Sequence, residues 1–225
     1  MCKDCNKTID GLVGGIHIKL YEKQDRKDEN LIEIRAYNNN IINIPTCEEG
    51  GKVITLSDDI TEIGARSFYK RGKLSFVELP YCTSIGESAF EGCVSLKSVR
   101  FSTPQKFHNN IVIGGRAFYG CGLLKEILLP DNLTRIGDEA FGDCISLEKL
   151  VIPQSVQYIG EGAFGGCVKL KEVIFLGETE LDYGTFEGCS SLHTVYVPNG
   201  GLFRFNEMFA VQNDCNPEIL EIDSD

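Results

Sequence analysis

Residues 159–175 read IGEGAFGGCVKLKEVIF, and how this stretch is understood decides the fold. Its first half contains G-E-G-A-F-G, which satisfies G-x-G-x-x-G, the spelling of a phosphate-cradling turn. Such a turn needs glycine so that backbone can approach a pyrophosphate. It must also join a strand to a helix N-terminus inside a βαβ unit of about 30 residues. The rest of the chain argues against a nucleotide. The stretch recurs as IGESAFEGCVSLKSVRF at 85–101, IGGRAFYGCGLLKEILLP at 113–130 and IGDEAFGDCISLEKLVIP at 136–153. An imperfect first copy, IGARSFYKRGKLSFVELP, covers 63–80, and a last one, LDYGTFEGCSSLHTVYVP, covers 181–198. The positions of Gly162 and Gly165 become Glu139 and Gly142 in one copy, and Arg116 and Tyr119 in another. The glycines are one spelling of a repeat.

The register follows Phe68, Phe90, Phe118, Phe141, Phe164 and Phe186, at intervals of 22, 28, 23, 23 and 22 residues. Only the 28 is out of line, and it holds an insert around TPQKFHNN. A period of this length is the mark of a solenoid. One copy condenses to I-G-x-x-A-F-x-x-C-x-x-L-x-x-V-x-I-P. Its apolar positions pass from helical spacing to alternation, and proline then stops the strand. Each copy predicts a tight turn, a short helical or 3-10 piece and a short strand. One coil buries too little to offset the ordering of its backbone. Stacked coils share buried faces and strand hydrogen bonds, which predicts a parallel sheet along one face. Cys93, Cys121, Cys144, Cys167 and Cys189 share one slot, Arg71 in the first copy. Small thiols packing inward explain them. A disulfide ladder is the sharper alternative, disfavoured because five is odd.

This pattern resembles the BspA-like leucine-rich repeat family, the type with about 23 residues per repeat. Ile-Gly, Ala-Phe, Cys, Leu, Val and Pro carry the resemblance over roughly 52–198. It implies an α/β fold: a curved right-handed solenoid with a parallel sheet on one face and short helical or 3-10 turns on the other. It also implies protein binding, often by bacterial surface proteins or proteins of parasitic protists, with adhesion to host matrix proteins as one class of role. The first copy lacks Cys and the last reads Leu181-Asp182 for Ile-Gly, as terminal repeats commonly deviate.

Residues 1–51 read as a tail and a β-hairpin cap, from IHIKLYEK and LIEIRAY around the charged QDRKDEN. The solenoid of about six repeats follows at 52–198. Residues 199–225 form a C-terminal cap or tail. Phe203, Phe205 and Phe209 are placed to cover the open end, and the acidic EIDSD is expected in solvent.

A formal net charge of -11 disfavours nucleic acid and anionic membranes. No apolar run is long enough for a membrane span. MCKDCNKTID lacks the apolar core of a signal peptide. The expectation is therefore cell-surface or secreted if an export signal lies upstream, as the resemblance implies, and cytoplasmic otherwise. Cys2 and Cys5 have the spacing of half a zinc site, but Cys47, Cys82 and Cys215 are scattered singly. Cys2 would suit a lipid-bearing cysteine in an exported lipoprotein, and a mobile tail is the plain alternative. His17, His108 and His193 lack a nucleophile motif beside them. No metal, cofactor or catalytic residue is expected.

The functional signal lies in the strands. The middle residue of V-x-I-P points away from the core and reads Glu78, Arg100, Leu128, Val151, Ile174, Tyr196. Leu128, Val151, Ile174 and Tyr196 make an apolar stripe on the open sheet face, with Arg100 and Glu126 at its rim. Such patches commonly mark partner surfaces. Three alternatives stand beside this reading: plain β-propensity, a C-terminal tail folded over the stripe, and a homodimer face. Phe107 and His108, in the inserted loop 102–110, are additional contact candidates, against a merely tolerated insertion. The expected function is a non-catalytic protein-binding module of unknown partner. An intracellular scaffold or self-associating structural protein is the alternative.

Overall fold

Phe68, Phe90, Phe118, Phe141, Phe164 and Phe186 are fully buried and stack as near-parallel rings. Successive centroids lie 4.8, 5.1, 5.1, 5.3 and 5.5 Å apart. Each ring marks one coil, so this spacing is the rise of the solenoid. The structure is a computed structural model. It describes residues 62–79, 84–101, 110–212 and 215–222, and before them the strand backbones at 11–13, 16–22, 31–37, 41–42 and 53–56.

Three sheets run along the stack. The first contains β1 (Gly11–Val13), β2 (Ile16–Glu22), β3 (Leu31–Tyr37), β5 (Val53–Leu56), β7 (Phe76–Leu79) and β9 (Ser98–Phe101), side by side in that order. The β1–β2 and β2–β3 pairs are antiparallel, and all later pairs are parallel. The second contains β4 (Ile41–Ile42), β6 (Glu62–Ile63), β8 (Ser84–Ile85), β10 (Ile111–Ile113), β11 (Leu133–Ile136), β13 (Tyr158–Ile159) and β15 (Glu180–Leu181), and from β6 to β13 each strand ends on the isoleucine of an Ile-Gly. The third joins β12 (Lys149–Ile152), β14 (Glu172–Phe175), β16 (Thr194–Pro198) and β17 (Glu218–Ile222), all parallel. The first and third sheets occupy the same V-x-I slot of the repeat. Residues 126–129 between them form no strand, so the sheet expected to be continuous is in two parts.

The stretch after each Ile-Gly is a run of tight turns. Alternate amides close locally: Ala89 donates to Gly86 and Glu91 to Ser88, both at 3.2 Å. The intervening amides bridge to the next coil: Ser88 to Gly115, Phe90 to Ala117 and Gly92 to Tyr119, at 2.9, 2.7 and 2.8 Å. This alternation places two residues per coil in the left-handed region, such as Arg116 (φ 54°) and Gly120 (φ 69°). The glycines of the opening motif now have separate reasons. A Cβ on Gly160 would lie 2.7 Å from the amide nitrogen of Asp138 in the previous coil. Gly162 takes a φ of 57°, a conformation that costs other residues about 1–2 kcal/mol.

The shared cysteine slot faces inward. Cys93, Cys121, Cys144, Cys167 and Cys189 are buried free thiols. Each donates to the carbonyl of the phenylalanine one coil back, as Cys144 does to Phe118 at 3.4 Å and Cys189 to Phe164 at 3.2 Å. The small-apolar reading holds, and these five form no disulfide.

After Pro198 the pattern continues in disguise. Helix α1 (Leu202–Gln212) replaces the turn of a seventh, shortened coil. The Phe209 ring stacks 5.4 Å from Phe186, and Phe205 lies 4.7 Å from Phe175. Phe203 is 75% exposed and does not join this cover, because it lies two residues from Phe205 and so points off that helix face. Cys215 donates to Phe186 at 3.7 Å, the next rung of the thiol ladder. Glu221 and Ile222, expected in a solvated tail, belong to β17. Glu221 Oε1 accepts from the amides of Gly200 and Leu202 at 2.9 and 3.2 Å, capping α1 from the neighbouring strand.

Candidate partner-binding face

Strand alternation sends Leu150, Val173 and Val195 into the core and leaves the residues between them on the outer face. Parallel register aligns that face into rows. Val151 pairs with Ile174, Ile174 with Tyr196, and Tyr196 with Leu220. The first three are half-buried and Leu220 is exposed. The row before them reads Lys149, Glu172, Thr194 and Glu218, and Lys149 pairs with Glu172 at 2.7 Å. Exposed Leu176 adds to the apolar side.

The structure places Val151, Ile174 and Tyr196 in one row. Leu128 is 80% exposed, but residues 126–129, which hold Glu126 as well, join no ladder. Arg100 stands on β9 beside Glu78, beyond that break, with its guanidinium 5.9 Å from the Phe76 ring centre. Phe107, His108, Cys2, Cys5, Cys47 and Cys82 lie outside the described residues. Leu220 was not anticipated. Its signal was Cys215 followed by the apolar positions of EILEI at 218–222, masked by the eleven-residue helix before it.

Several other titratable groups are held in pairs. Arg116 donates to Glu91 through Nε and Nη2 at 3.2 and 3.1 Å, pairs with Glu139, and lies 3.9 Å from the Tyr119 ring centre. Its hydrogen bond holds the Glu91 carboxyl below the usual range and raises Arg116 itself. Tyr119 donates to Asp143 at 2.6 Å and Tyr158 to Asp182 at 2.5 Å, which raises both phenols. Glu87, Arg116, Arg135, Asp138 and Glu139 line a depression of about 490 Å3 beside β10. Burial pushes the Cys93 thiol up to about 12 and those of Cys121 and Cys144 well up, so they stay neutral and unreactive. His193 is exposed, its Nδ1 2.8 Å from the Thr194 hydroxyl. Among the described residues no three metal-ligating side chains cluster, and no helix is long and apolar enough to cross a membrane.

The solved structure of a T. pallidum leucine-rich repeat protein is similar to 89% of this chain over 97% of its own, with 25% identity and a TM-score of 0.59. A leucine-rich repeat protein from Bacteroides ovatus is similar over 92% of this chain and 53% of its own, with 25% identity and a TM-score of 0.52. No curated protein matches the sequence. The pattern of the BspA type leucine rich repeat region matches six copies over residues 47–111 and 111–216. The repeat, the stacked coils and this match together make the chain a member of the BspA-type leucine-rich repeat family.

Proposed function

We propose that the protein is a non-catalytic binding module whose open sheet face takes a protein partner, in adhesion or host-protein recognition by a surface protein. One observation carries the reading: the in-register apolar row Val151, Ile174, Tyr196 and Leu220 on the outer face. Leu128, Arg100 and Glu126 extend the contact towards the first sheet, and Phe107 and His108 of the inserted loop supplement it. Solid-phase binding to a panel of extracellular-matrix proteins, wild type beside Ile174→Glu, tests it. Saturable binding weakened at least about tenfold by the charge, equivalent to about 1.4 kcal/mol, supports the face. Binding that survives moves the site elsewhere, and no binding to any matrix protein sinks the adhesion reading.

The second reading, an intracellular scaffold or self-associating structural protein, draws on β17 being the outermost strand of its sheet. Such an edge is a template for another copy. Sedimentation of wild type beside Leu220→Glu distinguishes it: an oligomer dissolved by the substitution supports self-association.

A further inference from the structure

A different surface carries an independent inference. Just after Cys93, Cys121, Cys144 and Cys167 the chain turns a corner. Val94, Ile145 and Val168 directly follow their cysteines, Leu123 stands one residue further on, after Gly122, and all four are 40 to 55% exposed. The corners recur one coil apart and lie close together. A Cβ on Gly72 would meet Val94 at 3.7 Å, and one on Gly122 would meet Ile145 at 3.6 Å. Three residues after each of these cysteines, Leu96, Leu124, Leu147 and Leu170 anchor the chain in the core. Beyond them the chain re-emerges at Lys97, Lys125, Glu148 and Lys171, all exposed. These residues are laddered coil to coil: Glu148 donates its amide to Lys125 at 3.1 Å, and Lys171 to Glu148 at 3.0 Å. Exposed Lys73 and Lys169 flank the apolar ridge itself. Glu148, the carboxylate of this row, pairs with Lys171 at 3.8 Å, and the next row holds Glu126, Lys149 and Glu172. In a chain of net charge -11, five exposed lysines, Lys73, Lys97, Lys125, Lys169 and Lys171, gather along the apolar ridge.

The geometry points to an acidic amphipathic helix from a partner protein as the occupant of this ridge. Two features select it. Lysines beside the ridge complement carboxylates on one flank of the ligand. Across the four ridge coils the rise of 5.1 to 5.3 Å is close to the helical pitch of about 5.4 Å. A helix laid along the solenoid axis therefore advances one turn per coil. Apolar side chains at i, i+3, i+7 and i+11 then meet Val94, the offset Leu123, Ile145 and Val168 in turn, with acidic side chains towards the lysine row. An anionic bilayer offers the same charge without this periodicity, and the net charge of the whole molecule repels it.

The test is fluorescence anisotropy with a labelled, stapled helical peptide of about 14 residues, leucine along one face and glutamate on one flank. Expected is saturable binding that weakens about tenfold or more as salt rises. Ile145→Glu should abolish it, Lys125→Glu should weaken it about tenfold, and Ile174→Glu on the sheet face should leave it unchanged. Absence of saturable binding overturns the inference. So do equal binding of a peptide with lysine for glutamate, survival of binding in Ile145→Glu, and binding of phosphatidylserine vesicles but not the peptide. Because Ile145 and Lys125 are solvent-facing, melts of both variants should match wild type. The two substitutions separate this ridge from the sheet face, so either surface can fail without the other.

Discussion

A methyl group added at Gly137 would sit 2.6 Å from the amide nitrogen of Gly115 and 2.8 Å from the carbonyl carbon of Gly114. Both are backbone atoms of the previous coil, so the coil must shift. At Gly120 the same methyl group meets nothing within 4 Å, and only its φ of 69° resists. Gly137→Ala should therefore cost about 3 kcal/mol, the upper end of ordinary overpacking, and Gly120→Ala about 1–2 kcal/mol. Urea denaturation of the two variants checks the order, and a reversed order would remove close coil approach as the reason for Ile-Gly. Phe141→Ala opens a hole in the ring stack and should cost about 3–5 kcal/mol. The buried thiols give another residue-level outcome. Cys93, Cys121, Cys144, Cys167 and Cys189 should resist alkylation in the native protein and react on unfolding, which peptide mass mapping reads site by site.

Helix α1 and β17 form one unit because Glu221 holds the helix start. Glu221→Ala should cost about 1 kcal/mol, the usual value of a lost helix cap, and speed amide exchange at Gly200 and Leu202 first. Unchanged exchange there would dissociate the strand from the helix. A second element-level device is Arg116 between Glu91 and Glu139, which ties three consecutive coils. The folded Glu91 carboxyl titrates below its ordinary 4.5 because Arg116 donates to it. Its stabilisation is therefore complete above that value and is lost as pH falls through the folded pKa. Stability measured from pH 7 to pH 3 should fall in wild type at the acid end, and Glu91→Gln should lose that component of the slope.

At the scale of the molecule, the repeat phase, the inward phenylalanines and cysteines and the strand slot were all legible in the sequence. Each is a side-chain requirement that recurs in every coil. The second sheet was not, because β6, β8, β13 and β15 are two residues long, too short for alternation to show. The break at 126–129 was hidden for another reason: KEILLP reads like its neighbours, but a ladder depends on the partner strand as much as on its own residues. The seventh coil was obscured by a helix that broke the period. On the candidate face, the direction of Val151, Ile174 and Tyr196 followed from strand alternation, while Leu220 needed a register that only pairing reveals. The lysine-flanked corner went unseen because its slots vary from copy to copy and show their common character only when stacked.

The coil carrying the insertion spans 28 residues between phenylalanines, yet its rings stand 5.1 Å apart, the same as those of the coil that follows. The aromatic spine does not register the extra length. The segment 102–109 is a natural grafting port: foreign segments of varied length inserted there should leave the spine's melting behaviour intact. The same tolerance gives a lineage of such proteins a place to try new loop sequences while the interior stays constant.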